Sequence, residues 1–190
     1  MIRHTIVLTL GALALVPLAG CDQTRDKTAA TATEPGAATL TAAIGGAPGM
    51  STVAAAIKST GLATVFEGTA PYTLLAPQDD AFGALGETAA MLKAPENGAA
   101  MAAVIKAHVL PGYMAVADID AALKTARGKP VKMKTMAGGE VTFTRTGDTL
   151  TVTAADGSTA RLSGAEVKAG NGVAIPIDGV LKKIPEPPAG

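Results

Sequence analysis

The sequence predicts an α+β fold in one domain over residues 40–185, helical in its first half and built of antiparallel strands in its second. Three observations carry that expectation. Between Val53 and Ile105 apolar residues recur three and four apart, the spacing of one helix face. From Val131 to Val152 they alternate with lysine and threonine, the period of a half-buried strand. Between those regimes, residues 73–82 (TLLAPQDDAF) compress a strand, a corner and a helix start into ten positions. Helices first and strands after belong to the α+β class. A domain of about 145 residues buries roughly two-thirds of its unfolded surface, enough for one core without staples.

In chain order, residues 1–20 read as a signal peptide rather than as fold. Arg3 and His4 precede an apolar run from Thr5 to Pro17, too short to span a bilayer comfortably. Leu18-Ala19-Gly20-Cys21 then reads as a bacterial lipobox, whose cleavage leaves Cys21 as a lipidated N-terminus. Cys21 is the single cysteine, and a thiol consumed by lipidation has no disulfide partner to find. Two or three acyl chains anchor stably where one does not. Residues 21–39 continue as a small, polar, aperiodic tether, whose coil would span roughly 25 Å. Asp22 beside Cys21 resembles an inner-membrane retention signal, leaving inner and outer membrane both open.

The helices follow. Val53, Ala56 and Ile57 define one over residues 52–60, stopped at Gly61, and residues 62–66 a short second. Residues 73–76 carry no charge between Pro71 and Pro77 and suit a strand buried on both faces, ended by the N–H that Pro77 lacks. Asp79 and Asp80 favour a helix start, and with Gln78 at the usual capping position Asp79 is expected to cap that helix, which Gly86 ends. Residues 87–92 and 99–107 form alanine-rich helices, the latter through Met101, Val104 and Ile105; a last helix covers 118–126 with Asp118 as its cap.

In the second half Val131 and Met133, Val141 and Phe143, and Leu150 and Val152 alternate with polar residues, with Gly138-Gly139, Gly147-Asp148 and Asp156-Gly157 as turns. This predicts an antiparallel meander, closed by residues 171–181. Pro176 cannot donate a ladder hydrogen bond, so that closing strand is expected at an edge or bulged. The core is expected to be aliphatic, since aromatics are 3% of the chain. Residues 186–190 are a tail.

Three segments together carry a resemblance. TLLAPQDDAF (73–82) is similar to the first signature of the fasciclin domain, NGVAIPIDGVL (171–181) to its second, and KAHVLPG (106–112) to its Tyr-His segment, with His108 in the histidine place. They come in the family's order at the spacing of one domain. The resemblance implies two small sheets forming a wedge with helices packed around them, and a binding or cell-surface adhesion role.

The chemistry-bearing residues point the same way. Past the signal there is one histidine, no thiol beyond Cys21, and four serines (Ser51, Ser59, Ser158 and Ser163), none in a G-x-S-x-G elbow. No glycine-rich phosphate loop and no Cys/His zinc cluster is written in the sequence. Asp79 and Asp80 point about 100° apart on a helix and do not share a proton readily. For His108, soft-metal ligation with Met114, Met133 or Met136 competes with a structural imidazole between helix and sheet; the structural role is expected. Asp178, inside the apolar run 175–181, is expected to be satisfied by backbone N–H groups or to face solvent.

Removal of Arg3 leaves fifteen basic against sixteen acidic side chains, which excludes a global nucleic-acid footprint. Locally, Lys124, Arg127, Lys129, Lys132 and Lys134 fall within eleven residues without an acid among them. The sequence therefore predicts an exported, lipid-anchored, non-catalytic module on the periplasmic side of the cell envelope, without cofactor. Its expected partner is a protein, a glycan or an anionic lipid. The alternative is a carrier of a small apolar ligand, a pigment or lipid, held between helices and sheet.

Overall fold

The uncharged run at 73–76 becomes the middle of strand β1 (Tyr72–Pro77), every residue of which beyond Tyr72 is buried. In this computed structural model, which describes residues 38–184, three short helices precede it: α1 (Leu40–Gly45), α2 (Ser51–Ser59) and α3 (Ala63–Phe66). After it come α4 (Asp79–Gly83), α5 (Glu87–Lys93), a 3-10 turn at Pro95–Asn97, α6 (Gly98–Ala107), β2 (Val109–Pro111) and α7 (Val116–Thr125). The chain finishes in β3 (Val131–Lys134), β4 (Glu140–Thr146), β5 (Thr149–Ala154), β6 (Thr159–Arg161), β7 (Val167–Ala169) and β8 (Gly172–Ile177). The signal, Cys21, the tether and the tail lie outside the described residues.

The α+β class is observed, in two four-stranded sheets ordered β2-β1-β8-β7 and β3-β4-β5-β6. The closing strand is where the sequence expectation needs correcting. Residues 171–181 do not close the meander; β6 does, pairing Thr151 with Arg161 and Thr153 with Thr159. Strand β8 instead lies parallel to β1, from Tyr72 opposite Gly172 to Pro77 opposite Ile177. All its residues are buried, so it shows the continuous apolar run of an interior parallel strand rather than alternation.

Pro176 is thus in an interior strand, and the register explains how. Tyr72 N–H donates to Asn171 O and Gln78 N–H to Ile177 O, which turns the odd-numbered residues of β8 toward β1. The missing N–H of Pro176 faces the other side, where β7 has already ended opposite Ala174. There the Pro176 carbonyl accepts the Ser163 N–H at 2.9 Å. On the β1 side the ladder likewise outlasts Pro77 by one residue, because Gln78 supplies the next donor.

Helix boundaries shift for similar local reasons. Helix α4 ends at Gly83, and Gly86, at φ +55°, opens the way into α5 instead of closing α4. Helix α7 begins at Val116, placing Asp118 at its third position, from which its carboxylate reaches back to the Ala115 N–H at 2.9 Å. The core has two parts. Leu40, Ile57, Phe66, Val104 and Ile105 pack between the helices and the β2-β1-β8-β7 sheet. Leu123, Phe143, Val152, Ile175 and Ile177 fill the space between the two sheets and α7. Although aromatics are few, all three phenylalanines are fully buried.

Candidate functional site

Asp79 emerges from the corner after β1, but it does not cap its own helix: Gln78 is the N-cap of α4 and makes no side-chain cap bond. The Asp79 carboxylate instead caps α2. Its Oδ1 accepts the Thr52 N–H at 2.8 Å, and its Oδ2 accepts the Ser51 N–H at 3.2 Å and the Ser51 hydroxyl at 2.9 Å. Partial burial alone would raise its pKa; the bonds from Thr52 and Ser51 outweigh that and hold it below the usual carboxylate value. The residue that starts one helix therefore ties down another, twenty-eight positions earlier.

His108 closes α6 and is fully buried. Its Nδ1 lies 2.7 Å from the Val104 carbonyl, which can only accept, so Nδ1 carries the proton. Its Nε2 then accepts the Leu181 N–H at 2.8 Å. Neither ring nitrogen keeps a free lone pair for a metal, and among the described residues no group of three His, Cys, Asp or Glu is placed to hold one. Burial pushes the imidazole down to about 4, against small opposing effects from Val104 and Asp156. His108 is a neutral strut between helix α6 and the segment after β8.

Asp178 is exposed at the end of β8, yet satisfied: Oδ1 accepts the Arg161 N–H at 2.6 Å and Oδ2 the Arg161 guanidinium at 3.0 Å. The carboxylate thus binds β6 to β8, both of the alternatives the sequence left open being met at once.

On the basic segment the strand alternation holds: Val131 and Met133 are half-buried, Lys132 and Lys134 exposed. Its freedom from acids does not survive folding. Asp120, one helical turn back on α7, takes Lys124 at 2.6 Å and also Arg145. Glu140, from the neighbouring strand β4, takes Lys132 at 2.9 Å. Sequence reasoning missed both, because Glu140 arrives through strand pairing and Asp120 lies just outside the eleven-residue window. Among the described residues, Arg127, Lys129 and Lys134 make no ion pair, and all three are exposed at or beside edge strand β3.

One further concavity is a cleft of about 500 Å³ between α2 and the α5–α6 segment, floored by Ala56, Leu92 and Met101 with Thr52, Ser59 and Lys93 around it. It lies between helices, not between helices and sheet. Among the described residues no helix is long and apolar enough to cross a membrane.

Two small sheets with a helical layer packed around them define the class: an α+β domain. The fasciclin-domain family model matches residues 48–183, and the chain belongs to that family. It is 30% identical over 131 residues to Protein sll1483 of the cyanobacterium Synechocystis sp., covering 66% of this chain and 63% of that protein. Its fold resembles that of a FAS1 domain pair from the insect cell adhesion molecule fasciclin I, with a TM-score of 0.65 at 14% identity over 76% of this chain. The likeness spans 51% of that domain pair, so the chain covers about half of the insect structure and less than two-thirds of the cyanobacterial protein.

Proposed function

We propose that this protein is an exported, membrane-anchored module that binds at the cell envelope without catalysis, meeting an anionic partner through the cations around β3. The fasciclin domain supports a binding or adhesion role, and the lipobox at residues 18–21 supports the anchor. The observation that carries the reading is the set Arg127, Lys129 and Lys134, exposed together and unpaired among the described residues. Exposed charge pairs contribute only about 0.2–1 kcal/mol each, so three supply a few kcal/mol at most. Such contacts are weak singly, add up when many copies share a membrane, and fade as salt rises.

The test is retention of the soluble domain on anionic liposomes and on a polyanionic polymer at low and high salt. Arg127→Gln, Lys129→Gln and Lys134→Gln together should abolish salt-sensitive retention and leave the melting temperature nearly unchanged. A wild-type domain that neither surface retains at low salt removes the proposal.

The carrier alternative rests on a different observation, the helical cleft with its apolar floor. It requires pigment or lipid to copurify from envelope, and extraction followed by absorbance and mass spectrometry decides it.

A further inference from the structure

The outer face of the β3-β4-β5-β6 sheet is covered by threonine in register. Strand β4 presents Thr142, Thr144 and Thr146; strand β5 presents Thr153, Thr151 and Thr149 directly opposite them. Their neighbours Val141, Phe143, Leu150 and Val152 point into the core, which fixes the threonines on the solvent side. Strand β6 adds Thr159 opposite Thr153, and Arg161 opposite Thr151. On the other flank, Lys132 pairs with Thr142 and Lys134 with Glu140. The result is a grid of hydroxyls about 7 Å apart along each strand and about 5 Å apart across strands, with Lys132 and Lys134 along its β3 flank.

Two buried threonines elsewhere spend their hydroxyls on the protein: Thr73 donates to Gly112 and Thr135 to Gly139. Among the described residues, the six hydroxyls of β4 and β5 make no such bond. Threonine is stiff about χ1, so these groups are held at fixed spacing at little further entropic cost. Each both donates and accepts, as does each hydroxyl of a sugar, whereas a lipid phosphate only accepts. The face carries no Trp, Tyr or Phe to act as the aromatic anchor that protein interfaces favour. Its net charge is positive, since Glu140 pairs with Lys132 and Asp178 with Arg161, which leaves Lys134 unbalanced.

We infer that this face binds an extended anionic polysaccharide, with threonine hydroxyls meeting sugar hydroxyls and Lys134, with Lys129 and Arg127 beside it, meeting carboxylate or sulfate groups. This rests on the envelope-binding reading above and names its partner class.

Affinity electrophoresis of the soluble domain through polygalacturonate, neutral dextran and polyglutamate, with anionic liposomes alongside, tests it. The wild type should be retarded by polygalacturonate more than by polyglutamate of equal charge density, because only the former offers hydroxyls. Thr144→Val with Thr151→Val keeps shape and strand propensity and should weaken polygalacturonate binding about tenfold, two modest hydrogen bonds' worth. Polyglutamate retardation should not change. Equal binding by wild type and the valine variant overturns the polysaccharide assignment while leaving the cation-based reading standing. Retention on liposomes alone does the same, and assigns the face to membrane. No binding to any anionic probe overturns both.

Discussion

Lowering the pH from 7.5 to 5 should destabilise this domain through His108. The imidazole is pushed down to about 4 in the folded state, against 6.5 when free. Below 6.5 the unfolded chain takes up a proton that the folded chain refuses, so stability is complete above 6.5 and is lost as pH falls toward 4. The linkage amounts to about 2 kcal/mol at pH 5 and about 3 kcal/mol once both states are protonated, from a total of roughly 5–15 kcal/mol for a domain. The window is clean: Asp79 and Asp156 are held below 3.8, so their contribution is lost only at more acid pH. The only other histidine, His4, lies outside the described residues. Urea unfolding of the soluble domain at pH 7.5, 6 and 5 measures the effect as a falling midpoint at constant m-value. His108→Gln should be less stable at pH 7.5, since it disturbs the bonds to Val104 and Leu181, but flat between 7.5 and 5. A wild-type midpoint that does not move between pH 7.5 and 5 would refute the account of a buried, neutral, doubly bonded imidazole.

Three further outcomes are expected. Asp79→Ala should cost about 1–2 kcal/mol by uncapping α2, while leaving α4 formed; a melting temperature equal to wild type would show that the carboxylate caps nothing. Gly172→Ala should cost about 3 kcal/mol, because its Cβ would lie 2.5 Å from the Tyr72 carbonyl oxygen and 2.9 Å from the Leu40 side chain; a soluble, equally stable variant contradicts the close β1–β8 approach. Cys21→Ala should block lipid attachment, and wild-type labelling of the variant by a palmitate analogue would exclude the anchor.

How far the sequence could be read depended on whether its signals were local. The corner at 73–82, the helix face of Met101, Val104 and Ile105, and the alternation of β3, β4 and β5 are all encoded within a few residues, and each was legible. Strand β8 was seen but placed in the wrong sheet, because its pairing with β1 joins residues about a hundred positions apart and no local period reports that. Strands β6 and β7 have three residues each, too few to establish alternation. The same limit governed the side chains. Asp79 looks like a cap for the helix it begins, and only the packing of α2 beside it shows which N–H groups it serves. The threonine grid was half visible as alternation within each strand; the opposition of Thr144 to Thr151 needed the register.

The three segments that identify the family are consumed inside the fold. Gln78 takes the Ser163 hydroxyl at 2.9 Å, Asp79 holds the start of α2, and His108 bridges Val104 and Leu181. Asn171 accepts the Leu40 N–H and donates to the carbonyls of Phe66 and Gly68, and Asp178 fastens Arg161. A polar group whose bonds are already made has little to offer a partner without breaking them, and a buried one left unpaired costs about 1–3 kcal/mol. Recognition must therefore come from groups the fold leaves unspent. On the described surface those include the free cations at β3 and the hydroxyls of β4 and β5. Leu75, Ile175 and Ile177 of the parallel β1–β8 pair pack beneath the β3-β4-β5-β6 sheet, while its own ladders set the spacing of the face it presents.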